Sequence, residues 1–181
     1  SMIYNKNTMD LVRKGEMKLP LDKIATFAKF EYGEEEKFFY VVNVHLDPKS
    51  KEDRYFQADF LLAYLKSKLK KEADNIQIFM IGDFNSIRRS AVWDFFKQNG
   101  YRDSWLTAKK KQPENLLLSC HAYLGETLES WIYRIPIRII STVLSVAWPK
   151  LPVEWMPNEM HVDWILYKGS PEISVEEVKI I

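Results

Sequence analysis

Hydrophobic and polar residues alternate over residues 25–30, and a near-continuous apolar run follows at residues 38–46. Alternation is typical of a half-buried strand, whereas a run rich in aromatic and β-branched residues is typical of a strand buried on both faces. The polar segment 32–37 between them contains a glycine and predicts a turn. We therefore expect an antiparallel hairpin whose second strand is buried on both faces.

Apolar residues at spacings of three and four predict an amphipathic helix over residues 54–71. Four lysines lie toward its C-terminus, where the helix dipole favours positive charge. We interpret these lysines as a solvated face rather than a nucleic-acid patch. The residues expected on the buried face are Phe56, Phe60, Leu61, Tyr64, Leu65 and Leu69.

Strands and helices alternate in the following segments. An apolar strand at residues 76–81 ends at a Gly-Asp-Phe-Asn loop, and Ser90 then caps a predicted helix over residues 91–99, which Gly100 ends. Two further strands are expected at residues 162–167 and 173–180. This order predicts an α/β protein, in which polar groups at the carboxyl end of a buried strand lie at the rim of the sheet, where ligands commonly bind.

The composition indicates one globular domain over residues 1–181. The chain is 46% hydrophobic and 28% charged, with a formal net charge of +1. These values exclude disordered and fibrous classes, and the near-zero charge points to no particular partner. The single cysteine, Cys120, excludes an internal disulfide framework and a cysteine-rich zinc site, which favours a reducing, cytoplasmic location.

One histidine, His45, ends the apolar strand predicted at residues 38–46. An imidazole at the rim of a sheet could act as a general acid or bind phosphate, because histidine titrates near neutral pH. A hydrogen-bonded core histidine is the alternative, and for the residue taken alone it is preferred.

Asp83 and Asn85 lie two residues apart, so on an extended segment their side chains leave the same face. A carboxylate and an amide oxygen are hard ligands suited to Mg²⁺ or Mn²⁺, and the aspartate could also orient a water for attack. The alternative is an Asx turn with its own local hydrogen bonds. The Gly-Asp-x-Asn motif alone leaves the two interpretations about even.

An acid, Asp163, begins the apolar strand predicted at residues 162–167. If this acid is buried, it requires a partner. It could orient a catalytic imidazole, as a carboxylate does in hydrolytic triads, or it could form an ion pair with an arginine.

The order of these motifs resembles that of the endonuclease/exonuclease/phosphatase superfamily. The matching pieces are Asn-Val-His-Leu-Asp, a helix with Arg54 and Gln57, Ile-Gly-Asp-Phe-Asn, the segment 119–125, and His-Val-Asp-Trp-Ile-Leu. The resemblance extends from about residue 3 to residue 180. It is greatest to the metal-dependent phosphohydrolase branch.

The resemblance implies an α/β fold of the α+β type, a sandwich of two mixed sheets flanked by helices. It places a divalent metal, Mg²⁺ or Mn²⁺, and the scissile phosphoester at the shared rim of the sheets. His45 matches the phosphate-contacting histidine of the family, and Asp83 and Asn85 match the acid and amide of its Gly-Asp-x-Asn loop, to which we assign the metal. Asp163 matches the acid that orients the general base.

Two further histidines, His121 and His161, match positions that line the substrate cleft in this family. The family also has a Gln-Glu pair whose glutamate binds the metal, and a closing Ser-Asp-His that carries the catalytic imidazole. This sequence has neither, so we expect a partial domain, truncated at both ends. We accordingly expect the polypeptide alone to be inactive or nearly so, and a missing strand would favour a strand-exchanged dimer.

The resemblance does not explain an apolar insertion at residues 128–158. Within it, apolar residues recur every four positions and predict a helix at residues 137–147. A helix that is apolar all round is usually buried, so packing on the sheet is preferred. Contact with a membrane surface or a partner protein through residues 131–155 is the alternative.

These observations favour a metal-dependent phosphoesterase in the intact parent protein. The substrate is expected to be a phosphomonoester or a phosphodiester. A small-molecule or lipid phosphate is slightly preferred to nucleic acid, because the lysine clusters do not interleave with stacking aromatics. The alternative is a non-catalytic interaction module that keeps the scaffold without the metal glutamate and the catalytic histidine.

Overall fold

The computed structural model describes residues 2–33, 37–69, 76–86, 88, 90–112, 163–169 and 173–179. The strands in this part of the chain are β1 (Asp10–Lys18), β2 (Ile24–Tyr32), β3 (Lys37–His45), β4 (Gln77–Asp83), β5 (Arg102–Asp103), β6 (Lys110–Gln112), β7 (Asp163–Lys168) and β8 (Glu177–Lys179). The helices are α1 (Lys51–Lys68), α2 (Ala91–Gln98) and α3 (Ser104–Thr107).

Six of these strands form a mixed sheet in the order β1-β2-β3-β4-β7-β5, and β6 pairs with β8 in a two-stranded sheet. β1, β2 and β3 are antiparallel neighbours, α1 connects β3 to the parallel strand β4, and β7 runs antiparallel to β4. The expected α/β class, with mixed strands and helices, is therefore confirmed.

The hairpin predicted from the alternating pattern is confirmed as β2 and β3. The expected burial of its second strand on both faces is wrong. Tyr40, Val42 and Val44 are buried, whereas Phe39 and Val41 on the other face are half-buried. The two faces differ because α1 and α2 pack on the first face, while aromatic rings such as Phe39 and Phe79, 5.7 Å apart, contact each other on the second.

Helix α1 begins at Lys51, three residues before the predicted start, because the Ser50 hydroxyl accepts a hydrogen bond from the amide of Asp53 at 3.1 Å. Phe56 and Phe60 were expected to be buried but are 56% and 41% exposed. They lie about half a turn from the buried row, since each helical residue advances by about 100°. The buried side chains of α1 are Gln57, Ala58, Leu61, Leu62 and Leu65.

Aromatic side chains connect the loop after β4 to the core. Phe84 is fully buried, stacks on Trp164 of β7 at 4.6 Å and meets Phe96 of α2 edge-on at 5.5 Å. The rings fix the direction in which the chain leaves β4, because such contacts are specific in geometry. The predicted strand at 76–81 and helix at 91–99 are confirmed as β4 and α2.

The remaining predictions are met only in part. The strand expected at 162–167 is confirmed as β7, but the one expected at 173–180 is limited to β8 in the described residues, and β1 was not predicted. The apolar insertion at 128–158 and its predicted helix lie outside the described residues. None of the helices in the described part of the chain has the length and apolarity needed to cross a bilayer.

Candidate active site

Three neighbouring strands bring their functional residues to one edge of the large sheet. His45 and Asp83 are the last residues of β3 and β4, which are parallel, and Asp163 is the first residue of the antiparallel strand β7. The register pairs His45 with Asp83, and Asp83 with Asp163. Directly opposed residues project to the same face of a sheet, so the three side chains form one row.

This row lies on the face of the sheet away from the helices. The preceding row contains Val44 and Trp164, which are 1% and 2% exposed and pack in the core. Successive residues of a strand point to opposite faces, so His45, Asp83 and Asp163 project outward. The interpretation of Asp163 as a buried acid is wrong, because its position at the start of β7 leaves it exposed.

His45 and Asp83 approach each other loosely. His45 Nε2 lies 4.0 Å from Asp83 Oδ2, and the two side chains are 65% and 33% exposed. Exposed ion pairs at this distance contribute little to stability, because water competes for both groups. The side chains therefore remain accessible to a ligand.

The loop after β4 depends on glycine and on local hydrogen bonds. Gly82 has a φ of 124°, and a Cβ at this position would lie 2.1 Å from the carbonyl oxygen of Val44. Asp83 Oδ1 accepts from the amide of Asn85 at 2.7 Å. This is the Asx-type hydrogen bond of the alternative interpretation, and it leaves Asp83 Oδ2 on the side of His45.

Asn85 adopts a left-handed backbone conformation with a φ of 46°. Its Nδ2 donates to the carbonyl oxygen of Leu46 at 2.9 Å, which connects the loop after β4 to the residue that follows His45. Asparagine tolerates this backbone region better than most residues. The bond fixes the orientation of the amide, so its oxygen is directed away from Leu46.

The loop between β3 and α1 is held by a buried glutamine. Gln57 is 0% exposed; its Oε1 accepts from the Asp47 amide at 2.9 Å, and its Nε2 donates to the Pro20 carbonyl oxygen at 3.1 Å. Arg54 Nη1 donates to the Asp47 carbonyl oxygen at 3.1 Å. Sequence analysis included Arg54 and Gln57 in a motif but assigned them no role; the structure places both beneath the loop after His45.

The Asp47 carboxylate completes this loop. Its Oδ1 accepts from the amides of Ser50 and Lys49 at 2.8 and 2.7 Å. These backbone hydrogen bonds hold the pKa of Asp47 below its ordinary value of 3.8. Asp47 is therefore occupied in a turn, which leaves the row of His45, Asp83 and Asp163 as the candidate site.

A second acid–base pair includes Arg88, three residues after Asn85 in the chain. Arg88 Nε and Nη2 donate to the Asp103 carboxylate at 2.6 and 3.2 Å, and the two side chains are 5% and 2% exposed. The indole of Trp93 and the amide of Trp105 also donate to this carboxylate, at 3.4 and 2.9 Å. The pair connects the segment after Asn85 to β5, and it was not predicted from the sequence.

The side chains at the rim provide some, but not all, of the ligands that a hard divalent cation requires. Asp83 offers a carboxylate oxygen and Asn85 an amide oxygen, which suits Mg²⁺, since this ion commonly keeps several waters and few protein ligands. Within the described ranges, no group of three or more His, Cys, Asp or Glu side chains is arranged to hold a metal. His121 and His161, predicted to contact substrate, lie outside the described residues.

Sequence comparison finds similarity to an exoribonuclease subunit. The chain is 35% identical over 127 residues to a probable CCR4-Not complex 3′-5′-exoribonuclease subunit Ccr4 from Vairimorpha ceranae (strain BRL01). The match includes 68% of this chain but 26% of that protein, so the chain spans about a quarter of its relative. No protein-family model matches the chain.

Solved structures share the fold over nearly the whole chain. An endonuclease/exonuclease/phosphatase family protein from Bacteroides thetaiotaomicron superposes with a TM-score of 0.65 at 17% identity, over 98% of this chain and 57% of that one. A mannosyl-6-phosphatase from B. thetaiotaomicron VPI-5482 gives 0.64 at 17% identity, over 98% and 59%. These comparisons support the resemblance seen in the motifs: the chain has the fold of endonuclease/exonuclease/phosphatase family proteins.

Proposed function

We propose that this chain carries part of the active site of a divalent-metal-dependent phosphoric ester hydrolase. The observation that supports the proposal is the row of His45, Asp83 and Asp163 on three adjacent strands, with Asn85 in the next loop. Hydrolysis of a phosphate ester requires that water, phosphoryl group and charge-stabilising groups are held in register. An accessible row of an imidazole and two carboxylates, with an amide in the next loop, can meet this requirement.

Asp83 and Asn85 are the residues to which we assign the metal, Mg²⁺ or Mn²⁺. Asp83 and Asp163 are directly opposed on neighbouring strands, and like charges in such positions repel each other. A bound cation would relieve this repulsion. When bound, it would neutralise the negative charge that develops on the phosphoryl oxygens.

The side chains have separate roles in this proposal. Asp83 Oδ2, which does not take part in the hydrogen bond to Asn85, positions the attacking water. His45 is mostly exposed and contacts a phosphoryl oxygen. Asp163 is a positioning residue that orients the imidazole of a general base, as the family motif implies. His121 and His161 are proposed to contact the substrate.

The similarity to a probable exoribonuclease favours RNA as the first substrate to test. Sequence analysis slightly preferred a small-molecule or lipid phosphate, and these remain the second candidates. Because this chain alone is expected to be inactive or nearly so, the assays should use the intact protein that contains it. They should compare a 5′-labelled oligoadenylate, p-nitrophenyl phosphate, bis(p-nitrophenyl) phosphate and phosphoinositide vesicles, each with Mg²⁺, Mn²⁺ or EDTA. The class that is hydrolysed identifies the substrate chemistry.

Replacing Asp83 by asparagine tests the assignment directly. We expect hydrolysis to fall by at least about 100-fold, because a group that positions or activates the attacking water contributes 10² or more. The matched control is Asp59→Asn, which removes an exposed carboxylate of α1 that has no role in the proposed site. Hydrolysis that is insensitive to Asp83→Asn and to EDTA would contradict the proposal.

A metal-binding measurement separates catalysis from the non-catalytic alternative. Titration with Mn²⁺, followed by electron paramagnetic resonance, should show a site that Asp83→Asn weakens and Asp59→Asn does not. If neither Mn²⁺ binding nor hydrolysis is detected, the interaction module becomes the better description. Binding readouts are needed because a fold alone does not establish an activity.

A further inference from the structure

Strand β1 forms one edge of the six-stranded sheet. It pairs with β2 along one side, and no strand in the described part of the chain pairs with its other side. An edge strand presents backbone N–H and C=O groups that are available to pair with another chain. The side chains of Val12, Arg13, Lys14 and Glu16 are exposed, so this edge is open to a partner.

A β-bulge limits the regular part of this edge. The register with β2 shifts after Leu11, so residues 13–18 form the regular segment. Met17 is 3% exposed and packs in the core, so Lys14 and Glu16 project from the other face of the sheet, because successive residues of a strand alternate between faces. Neither of these two charges has an ion-pair partner among the residues that the structure describes.

The two charges select a register for antiparallel pairing of β1 with β1 of a second copy. When Gly15 lies opposite Gly15 of the second copy, each Lys14 lies opposite a Glu16, twice across the two-fold axis. An axis at Lys14 or at Glu16 would place that residue opposite its own copy, and like charges in such positions repel each other. An axis between two residues would oppose side chains of different faces, which the pleat does not allow.

One competing register also brings opposite charges together. An axis at Met17 would place Glu16 opposite Lys18, again twice. Because β1 ends at Lys18, only residues 16–18 would then pair, whereas residues 13–17 pair around an axis at Gly15. The longer ladder favours the axis at Gly15.

Apolar surface beside the edge extends the contact beyond the main chain. Val12, at the bulge, is 49% exposed. A hollow of about 520 Å³ lies along β1 and β2, lined by Tyr4 and Phe30 as well as by Lys14 and Glu16. Stable interfaces bury about 1,200–2,000 Å² in total, more than the pairing of short strands supplies, so a dimer needs such side-chain contacts.

We propose that two copies of this chain associate through β1, antiparallel and with Gly15 at the two-fold axis. The two six-stranded sheets then form one continuous sheet, and no strand leaves its own copy, unlike in a strand-exchanged dimer. His45, Asp83 and Asp163 lie on β3, β4 and β7, so the candidate active site of each copy stays accessible. The inference is therefore independent of the proposed function.

Sedimentation equilibrium of the complete chain tests the association. The unmodified chain should show a monomer–dimer equilibrium. Lys14→Glu and Glu16→Lys each place like charges opposite each other at both pairs, so each should raise the dissociation constant by about tenfold or more. Lys18→Glu makes the same change of charge on the same strand and is the matched control, which should leave the dissociation constant unchanged.

Two outcomes of this experiment would overturn the proposal. The first is an unmodified chain that stays monomeric at every concentration. The second is a loss of association in Lys18→Glu as large as in Lys14→Glu, which would identify the axis at Met17 or a general effect of charge.

Mixing the two single variants separates pairing from folding. Lys14→Glu leaves one chain with negative charge at both positions, and Glu16→Lys leaves the other with positive charge at both. In a mixed dimer every pair is again of opposite charge, so we expect an equimolar mixture to form a heterodimer although each variant alone is monomeric. A folding defect would not be repaired by mixing, and a mixture that associates no better than its components would overturn the proposal.

Disulfide cross-linking reports the register itself. In a Cys120→Ser background, chains with Lys14→Cys and chains with Glu16→Cys should cross-link with each other on oxidation, because directly opposed residues bring their Cβ atoms close together. Chains with Lys14→Cys alone should cross-link much less. Efficient cross-linking of Lys14→Cys chains with one another would place the axis at Lys14 and overturn the assigned register.

Discussion

Two acid–base pairs of this protein differ in the distance between their charged atoms, in their exposure to solvent and in their hydrogen bonds. His45 and Asp83 at the sheet rim are 4.0 Å apart and 65% and 33% exposed. Arg88 Nε and Asp103 Oδ2 are 2.6 Å apart, and the two side chains are 5% and 2% exposed. The first pair retains unused hydrogen-bonding capacity toward solvent, whereas the Asp103 carboxylate accepts from four donors.

This difference distinguishes a charged pair that stabilises the fold from one that is available to bind a ligand. A buried charge is tolerated only when its partners are complete, and removing one partner leaves the other charge unpaired in a medium of low dielectric constant. An exposed, loosely paired carboxylate loses little when its neighbour is removed, and it is free to bind a ligand. The same residue type therefore has opposite consequences for stability and for activity at the two places.

The largest effect is expected from Asp103→Ala. The substitution leaves Arg88 buried without its partner, which should lower the free energy of unfolding by about 3–5 kcal/mol. Asp83→Ala, the rim counterpart, should lower it by no more than about 1 kcal/mol. Urea denaturation followed by tryptophan fluorescence measures both, and similar losses in the two variants would contradict the distinction.

A paired replacement sharpens this comparison. Arg88→Met combined with Asp103→Leu exchanges the buried ion pair for apolar groups, which is often nearly neutral. We expect the double variant to recover part of the stability lost in Asp103→Ala, because Arg88 is no longer left as an unpaired charge, whereas the Trp93 indole and the Trp105 amide still lack their acceptor. The double variant should keep the Mn²⁺ binding of the unmodified chain if Arg88 and Asp103 act only through folding.

We expect the stability of the sheet rim to depend more on its backbone conformation than on the pair of His45 and Asp83. The substitution Gly82→Ala tests this expectation. The added Cβ would lie 2.1 Å from the Val44 carbonyl oxygen at a φ of 124°, so the backbone must move. We expect a loss of about 2–3 kcal/mol. Gly33→Ala is the matched control, because its φ is also positive, at 71°, but no heavy atom lies within 4 Å.

The control Gly33→Ala separates the cost of a positive φ from the cost of the close contact with Val44. Gly33→Ala should cost about 1–2 kcal/mol, which is the conformational cost alone. If the two variants lose the same free energy of unfolding, the close approach of Gly82 to Val44 contributes nothing. A larger loss in Gly82→Ala would identify the contact as the reason for a glycine before Asp83.

Local patterns predicted the elements that bear the rim residues. Strands β3, β4 and β7 each contain an apolar run. β3 ends at His45, β4 ends at Asp83 and β7 begins at Asp163, which are the residues predicted from the motifs. The convergence of His45, Asp83 and Asp163 followed from the resemblance and not from spacing, since nothing local specifies that β7 lies beside β4. Sheet order is a tertiary property that a single sequence encodes only indirectly.

The buried features were the ones that sequence analysis missed. Arg88 and Asp103 are fifteen positions apart in polar segments, and no periodicity marks them as partners. Phe56 and Phe60 satisfied the helical spacing but lie opposite the buried row, because two apolar stripes compete on α1 and packing selects one. Asp163 was considered as buried because its neighbours are apolar, whereas its place at the end of β7 exposes it.

Asp47 lies between the two extremes, as a carboxylate held by backbone amides. The amides of Ser50 and Lys49 lower its pKa, so its charge stabilises the fold above the unfolded value of 3.8, and this contribution is lost as the pH falls through the lower folded pKa. Asp47→Asn should therefore reduce the free energy of unfolding at pH 7 by less than about 1 kcal/mol, because solvent screens the group. The curves of the two proteins should converge below pH 3.8 in acid titrations. A constant difference at all pH values would show that the charge is irrelevant.

The smallest effect is expected for the coupling between His45 and Asp83. A double-mutant cycle with His45→Ala and Asp83→Ala isolates their interaction, which should not exceed about 0.5 kcal/mol at low salt and should fall further at 1 M salt, where the Debye length is about 3 Å. Two groups that interact so weakly at 4.0 Å keep their positions without each other. The losses of hydrolysis in the two single variants would then reflect separate contacts with substrate and metal. A coupling of several kcal/mol would instead make this pair a structural one, like Arg88 and Asp103, and would remove the reason for assigning it to the active site.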